Sequence, residues 1–207
     1  MIRYEKDGIS FLLCKKTNTA TILRLHSHND VIIIPREVKR YFRTYSVKSI
    51  DGQYCLYSDA SRIEFEEESN FESICSNAFC KSSIQSIIFP KSLKIISASA
   101  FKLSKIQHID LSKTQLEYIH DEAFSYSSLV DIQLPKSIRQ IGNRSFFECK
   151  ALETIEIPDD SDLYSIGYQA FAFSSLQNLT LPLKITEFDS SWFFQTPRIN
   201  LCFFKHF

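Results

Sequence analysis

The sequence predicts a solenoid, in which short repeats stack on one another and together bury a continuous core. The first observation is a regular period: apolar segments open at Ile84, Ile106, Leu129, Leu152 and Leu176, separated by 22, 23, 23 and 24 residues. The second is an alternation of apolar residues after each opener, and the third is a small-aromatic pair near the end of each copy. A unit of this length is too short for an independent domain, so each copy has to pack on its neighbours.

The strand of each copy is marked by apolar residues at alternate positions, which is the pattern of a sheet with one buried face. The inward pairs are Ile63 and Phe65, Ile87 and Phe89, Ile109 and Leu111, Ile132 and Leu134, Ile155 and Ile157, and Leu179 and Leu181. Proline follows four of these strands, and it cannot continue a ladder because it lacks an N–H group. These prolines are Pro90, Pro135, Pro158 and Pro182, whereas Ser112 takes their place in one copy.

A second frame follows the strand in every copy: two apolar residues stand seven and four positions before a small-aromatic pair. Ala78-Phe79 closes the first of these copies, and in the last copy Ile185 and Phe188 precede Trp192-Phe193. The aromatic residues of this column are predicted to stack as one buried ladder along the array. They are Phe79, Phe101, Phe124, Phe146, Phe171 and Phe193.

This pattern resembles the BspA-like leucine-rich repeats, and the best single match runs from Leu129 to Cys149 with Pro135, Ile141-Gly142 and Ser145-Phe146. The similarity covers about residues 60–200. It implies a leucine-rich-repeat solenoid with a parallel sheet on the concave face and short turns or helical turns opposite. It also implies a surface or secreted protein of the adhesin type, as found in anaerobic bacteria and parasitic protists. The departures are Trp192 for alanine, Ser112 for proline, and serine at the family's cysteine position in Ser82, Ser104, Ser127 and Ser174.

The two ends of the array predict the domain organisation. Residues 1–50 are interpreted as a β-rich cap with a degenerate first repeat at residues 32–38, and residues 51–207 as the repeats. Within the cap, residues 9–13 and 19–23 flank a polar turn and predict a β-hairpin. Residues 199–207 predict a seventh strand without its second half, so the last repeat is incomplete.

An uncovered edge of this kind invites pairing, either with further repeats or with a second copy as a two-fold dimer. The residues predicted to self-associate there are Trp192, Phe194, Leu201, Phe203 and Phe204.

Composition excludes several classes of function. The 24 Lys and Arg equal the 24 Asp and Glu, so no global field is expected to attract nucleic acid or an anionic membrane. The four glycines are too scattered for a phosphate-binding loop. The charged N-terminal segment lacks the apolar core of a signal peptide, and no apolar run is long enough to span a bilayer. No cofactor, nucleic-acid partner or membrane insertion is therefore expected.

Candidate metal-binding and catalytic groups are few. His26-Ser27-His28 places two imidazoles on one side of an extended segment, but a polar turn is the favoured interpretation over a metal pair. No triad or nucleophile elbow is present, so neither an enzyme nor a metal site is predicted. Cys149 is predicted to be a buried space-filling residue, and the absence of Cys-x-x-Cys favours free thiols.

The predicted binding surface is the outward side of the strands, where side chains alternate with the buried ones. Stacked strands lie about 4.8 Å apart, so these residues should form one continuous polar face with a modest negative bias. They are Arg62, Ser86, His108, Asp131, Thr154 and Asn178 in one column and Glu64, Ile88, Asp110, Gln133, Glu156 and Thr180 in the other.

The predicted function is a non-catalytic module that binds a protein ligand, with a glycoprotein or a matrix protein among the candidates. The family resemblance favours the cell surface and host contact. The alternative is an intracellular interaction scaffold that uses the same face, which the missing signal peptide supports.

Overall fold

The computed structural model describes residues 1–26, 29–52, 60–185, 188–196 and 199–203. Within these ranges the chain is a solenoid of eighteen short strands, and the one helix is a 3₁₀ turn at Ser190–Phe193. The strands are β1 Ile2–Lys6, β2 Ile9–Cys14, β3 Thr19–Leu25, β4 Val31–Ile34, β5 Glu37–Arg40, β6 Arg43–Ile50, β7 Arg62–Phe65, β8 Ser73–Ile74, β9 Ser86–Ile87, β10 Ile95–Ile96, β11 His108–Asp110, β12 Tyr118–Ile119, β13 Asp131–Gln133, β14 Gln140–Ile141, β15 Thr154–Glu156, β16 Ser165–Ile166, β17 Asn178–Leu181 and β18 Asn200–Phe203.

The predicted parallel sheet is confirmed. Strands β15, β13, β11, β9, β7 and β4 form a six-stranded sheet in that order, and every pairing in it is parallel. Ile109, Ile132 and Ile155 lie in register and are buried, as the alternating pattern predicts. The strands are short because proline or the next turn follows within a few residues.

The opposite side of the solenoid is a second parallel sheet that the sequence did not predict. Two-residue strands β8, β10, β12, β14 and β16 continue the sheet of the N-terminal cap, and with β5 they make a ten-stranded sheet. Their second residues are the aliphatic members of the frame; Ile96, Ile119 and Ile141 lie in register and are buried. Two sheets therefore enclose one core.

The small-aromatic pairs form the third side of the solenoid as hydrogen-bonded turns. The backbone N–H of Phe124 donates to the carbonyl of Ser145 at 2.7 Å, and that of Phe101 donates to Ala123 at 2.7 Å. Two residues of each turn adopt a positive φ of 51–61° in five copies. One directly precedes the small residue, and the other comes two positions after the aromatic residue, as Asn77 and Lys81 do around Ala78-Phe79. Because two left-handed residues reverse the chain within each turn, adjacent turns can stack directly.

The predicted aromatic ladder is confirmed. The six phenylalanines stack in sequence, with ring centroids 5.2, 5.1, 5.3, 5.6 and 5.5 Å apart and planes within 16° of parallel. Each is at most 8% exposed. The ladder ties neighbouring repeats together through the centre of the core, where offset aromatic contact adds to apolar burial.

The predicted N-terminal hairpin is confirmed, and it is part of a larger cap. Strands β1, β2 and β3 form an antiparallel meander, and β3 then pairs in parallel with β6. The degenerate repeat joins both sheets: β4 pairs with β7 in the six-stranded sheet, and β6 pairs with β8 in the other. The division of the chain at residue 50 stays a prediction, because strands from both sides of it share the same sheets.

The last repeat departs from the predicted frame. Trp192 is only 5% exposed and fills the interior position that alanine or serine holds in other copies. Phe188 stands where the other copies bury an isoleucine, but it is 51% exposed and packs on the indole with ring centroids 5.6 Å apart. The predicted seventh strand is confirmed as β18, which pairs in parallel with β17.

The cysteine column also follows the prediction. Cys149 is fully buried, and its Sγ donates a 2.9 Å hydrogen bond to the carbonyl of Phe124 and lies 3.5 Å from the hydroxyl of Ser127. Burial raises the pKa of the Cys149 thiol to about 11. The thiolate is therefore disfavoured in the folded chain.

This shift predicts a loss of stability at alkaline pH. The folded pKa lies above the ordinary value of 9.0, so between pH 9 and pH 11 the unfolded chain releases the Cys149 proton first and stability falls as pH rises. From pH 8 to pH 10 the free energy of unfolding should fall by about 1.4 kcal/mol through this group. Urea denaturation at both pH values measures the fall.

Cys149→Ser is the matched control, since serine fills the same column at Ser127 and Ser174. The variant should lose less stability than the wild type between these pH values, because all other titrating groups are shared. Equal losses of unfolding free energy in the wild type and in Cys149→Ser would contradict a raised pKa of the buried Cys149 thiol.

Candidate functional site

The outer face of the six-stranded sheet brings ten of the predicted binding residues together, and Asn178 and Thr180 lie on β17, which pairs with β18 in a separate two-stranded sheet. All twelve are exposed or half-buried. Arg62 lies beside Ser86, Ser86 beside His108, His108 beside Asp131, and Asp131 beside Thr154. We call this surface, with the continuation of its two columns on β4, β17 and β18, the strand face.

The sequence missed four members of the strand face. Val31 and Ile33 on β4 extend the two columns beyond Arg62 and Glu64, and Asn200 and Cys202 on β18 lie beside Asn178 and Thr180. The degenerate repeat at residues 32–38 predicted the strand β4. Its outward residues were not among the predicted binding residues.

Two of the four predicted carboxylates are paired within the strand face. The Arg62 guanidinium lies 2.7 Å from the Glu64 carboxylate, and Nδ1 of His108 lies 2.5 Å from Oδ2 of Asp131. The second pair is ionic only when the imidazole is protonated. The remaining carboxylates, Asp110 and Glu156, form no ion pair with any residue that the structure describes, so the negative charge concentrates in the second column.

Asp110 is held by the copy in which Ser112 takes the place of the proline after the strand. Oδ1 of Asp110 accepts hydrogen bonds from the Ser112 hydroxyl at 2.6 Å and from the Ser112 backbone N–H at 2.8 Å. Proline could donate neither bond. The hydroxyl bond is the larger cause that lowers the pKa of Asp110, with further contributions from the N–H and from Lys113. The substitution of serine for proline therefore orients this carboxylate and keeps it ionised.

Glu156 borders a shallow depression of about 440 Å³ at the ends of the central strands. Gln133 and Thr180 also line it, together with Pro158 and the acidic Asp159. A depression this open suits a protruding side chain of a partner rather than an enclosed small molecule.

The two ends of the strand face differ in polarity. Ile33 and Ile88 are 58% and 54% exposed on either side of the Arg62–Glu64 pair, so the end next to the cap exposes apolar surface whose nearest charges are paired. At the other end Nδ2 of Asn200 donates to Oδ1 of Asn178 at 3.0 Å, so amides and hydroxyls dominate there. The strand face thus changes from apolar through acidic to neutral polar along the array.

The turn side carries an aromatic row that the sequence pattern did not predict. Tyr126, Phe147, Phe173 and Phe194 meet edge to face with ring centroids 5.6, 5.3 and 5.7 Å apart. Tyr126 is 43% exposed and Phe194 48% exposed, so the row is partly open to solvent. The signal is an aromatic one or two positions after the phenylalanine of the buried ladder.

The other predicted sites are placed as follows. Trp192 is buried, which removes it from the predicted self-association surface, whereas Phe194 is exposed and Leu201 half-buried. The side chain of Phe203, and Phe204 altogether, lie outside the described residues, as do Ser27 and His28 of the possible metal pair. Among the described residues no group of three or more metal-binding side chains occurs.

Repeats that share one core and stack their short strands in parallel register define a leucine-rich-repeat solenoid. The family model of the BspA type leucine rich repeat region matches residues 48–161 and 113–206, in six copies. The chain belongs to this family.

Solved structures of similar fold include two proteins of the bacterial surface or of vaccine interest. One is a leucine rich cell surface protein from Faecalibacterium prausnitzii, with a TM-score of 0.73, 22% identity, and coverage of 97% of this chain and 55% of that one. The other is the pneumococcal vaccine antigen PcpA, with a TM-score of 0.67, 22% identity, and coverage of 99% and 50%. The chain thus spans about half the length of each. At this identity the likeness shows the fold alone.

A third similar structure is the leucine rich repeat protein of T. pallidum, with a TM-score of 0.58, 18% identity, and 86% of each chain covered.

No curated protein has a sequence significantly similar to this chain. Among the described residues, the structure contains no helix with the length and apolar character that a bilayer span requires.

Proposed function

We propose that this chain is a non-catalytic protein-interaction module that binds its partner through the strand face and works at a cell surface as an adhesin-like protein. The observation that carries the proposal is the register of the strand face, which aligns two columns of accessible side chains over successive repeats. Two findings support a location at the cell surface. The chain belongs to the BspA type repeat family, and a protein of similar fold is described as a cell surface protein.

The strand face also suggests the chemistry of the partner. Asp110 and Glu156 carry charges that no described residue pairs, and Ile33 and Ile88 expose apolar surface on the same sheet. A protein surface with Lys or Arg beside an apolar patch complements this arrangement, since charge steers the encounter and apolar contact adds affinity. Glycoproteins and extracellular-matrix proteins that carry such patches are the proposed ligands.

The test is binding of the Asp110→Asn/Glu156→Gln double variant to immobilised basement-membrane proteins, measured by surface plasmon resonance at several salt concentrations. Exposed charge pairs contribute about 0.2–1 kcal/mol each, so loss of two should lower the affinity at low salt by about twofold to 30-fold. The salt dependence should also become shallower, because screening acts chiefly on exposed charges.

Glu5→Gln/Glu117→Gln is the matched control, because it removes two carboxylates from the ten-stranded sheet, at β1 and beside β12. This variant should bind as the wild type does. Equal losses for both double variants would show a general charge effect, and an unchanged affinity for the Asp110→Asn/Glu156→Gln variant would move the site away from the strand face.

Antibody labelling of unpermeabilised cells tests the location. Surface staining supports the adhesin-like role, whereas staining that needs permeabilisation favours an intracellular scaffold. Self-association through Phe194, Leu201, Phe203 and Phe204 stays a prediction.

A further inference from the structure

The hairpin that joins β5 to β6 carries an accessible pair of aromatic residues at its turn. Tyr41 is 87% exposed and Phe42 is 105% exposed relative to a fully accessible residue. We propose that this hairpin docks the chain onto an anionic lipid bilayer. We call the surface formed by Tyr41, Phe42 and their basic neighbours the hairpin tip; the neighbours are Lys15, Lys16, Lys39, Arg40 and Arg43.

Neither packing nor turn chemistry accounts for the two aromatic residues. Arg40 pairs with Arg43, so Tyr41 and Phe42 form a two-residue turn, and Tyr41 has a φ of 54°. A positive φ at this position favours glycine, and a bulky side chain is sterically disfavoured there. Since both rings also bury little area within the chain, their exposure points to a role outside it.

The hairpin tip concentrates positive charge that the neutral total conceals. Residues 14–25 and 38–50 contain no Asp or Glu. Their turns lie side by side, because the Ser46 N–H donates to the carbonyl of Asn18 at 3.0 Å and the Arg43 guanidinium donates to the carbonyl of Lys15 at 3.4 Å. Five cations therefore surround the turn.

Two contacts modify this charge without cancelling it. The ammonium of Lys39 lies 3.7 Å from the carboxylate of Glu37, at the base of the hairpin. The Arg40 guanidinium lies 5.3 Å from the centre of the Tyr41 ring, an arrangement in which a cation and an aromatic face attract each other. The neutral total charge predicted no attraction to anionic membranes, but the fold creates this local excess of positive charge.

Exposed aromatic rings among cations match the interface of an anionic bilayer. The cations are attracted to acidic headgroups, and aromatic side chains are favoured at the boundary between headgroups and acyl chains. A sulfated glycan or a nucleic acid would engage the cations but would leave Phe42 in water. Because Tyr41 and Phe42 are both exposed and the hairpin belongs to the ten-stranded sheet, both rings can enter a bilayer while the strand face stays free.

Co-sedimentation of the whole chain with vesicles tests the proposal. The chain should bind vesicles of phosphatidylcholine with about 30% phosphatidylglycerol and should bind pure phosphatidylcholine vesicles far more weakly. Each basic residue near such a surface contributes roughly a fivefold factor, so Arg40→Gln/Arg43→Gln should weaken binding about 30-fold. Lys81→Gln/Lys105→Gln, which removes two exposed cations of the repeats, is the charge-matched control and should bind as the wild type does.

The aromatic contribution is tested separately by Tyr41→Gly/Phe42→Ser, whose glycine also relieves the turn. This variant should keep or raise its melting temperature and should bind the anionic vesicles at least about tenfold more weakly, because each ring adds apolar burial. Its control is Tyr164→Ser/Tyr168→Ser, which removes rings that are 58% and 53% exposed on the repeats.

A fluorescence measurement reports insertion directly. Trp192 is the one tryptophan of the chain and is buried, so Phe42→Trp adds a single accessible fluorophore at the hairpin tip. Its emission should shift to shorter wavelength on addition of anionic vesicles and should be quenched by brominated acyl chains.

Three results would overturn the proposal. The first is failure to bind anionic vesicles at low salt, with or without binding to heparin or nucleic acid. The second is vesicle binding that the aromatic variant leaves unchanged, which would indicate charge attraction without insertion. The third is an unshifted emission spectrum of the Phe42→Trp variant when it is bound to vesicles. None of these results depends on the ligand of the strand face.

Discussion

Phe124→Ala should lower the free energy of unfolding by about 3–5 kcal/mol, the range for truncation of a fully buried phenylalanine. Phe124 is 0% exposed and stacks between Phe101 and Phe146 at 5.1 and 5.3 Å. Removing its ring leaves a cavity in the middle of the array and ends two aromatic contacts at once. Urea denaturation followed by circular dichroism measures the loss.

Tyr126→Ala is the control in the same turn. Its ring is 43% exposed, so the loss should be about 1 kcal/mol or less. If Phe124→Ala unfolds at the same urea concentration as the wild type, the stacked ladder is not what holds the repeats together.

Gly142→Ala should lower the free energy of unfolding by about 2–3 kcal/mol through overpacking. A methyl group at position 142 would lie 2.6 Å from the backbone N of Asp121 and 2.6 Å from the backbone carbonyl carbon of His120. Both atoms belong to the main chain of the preceding repeat, so a side-chain rotation cannot relieve the clash. Thermal and urea denaturation should both show the loss.

Ser97→Ala is the matched control, because Ser97 follows Ile96 as Gly142 follows Ile141 and its copy already holds a Cβ. It should change stability by about 0.5 kcal/mol or less. If Gly142→Ala is as stable as the wild type, the two repeats can move apart at Gly142 with little loss of folding free energy.

The buried positions of the fold were predictable because the same apolar pattern recurs in every copy. Ile109, Ile132 and Ile155 recur at one position of successive copies, and an error in one copy would be corrected by the next. The same repetition predicted the aromatic ladder from Phe79 to Phe193. The last copy departs from the pattern in sequence and in structure: Trp192 is buried at the small position, and Phe188 is exposed where other copies bury an isoleucine.

The second sheet was not predictable from periodicity. Its strands have two residues each, so no alternation distinguishes them from a turn. They become strands only because stacking brings Ile96, Ile119 and Ile141 into hydrogen-bonded register.

The electrostatics of both proposed surfaces likewise needed the structure. Counting charges gave an acidic bias to the strand face, but the geometry pairs Glu64 with Arg62 and Asp131 with His108. Counting over the whole chain gave neutrality, but the fold brings two turns without acidic residues side by side at Arg43 and Lys15.

The sequence by itself determined the solenoid, its period, its buried columns and the outward position of the twelve strand residues, because these follow from side-chain alternation within each copy. Tertiary structure alone decided the charge of the strand face, the burial of Trp192, the aromatic row and the hairpin tip. Each of these depends on which residues of different copies, or of the cap, come within contact distance. Contacts between distant segments are set by the stacking of the backbone, which no local pattern contains.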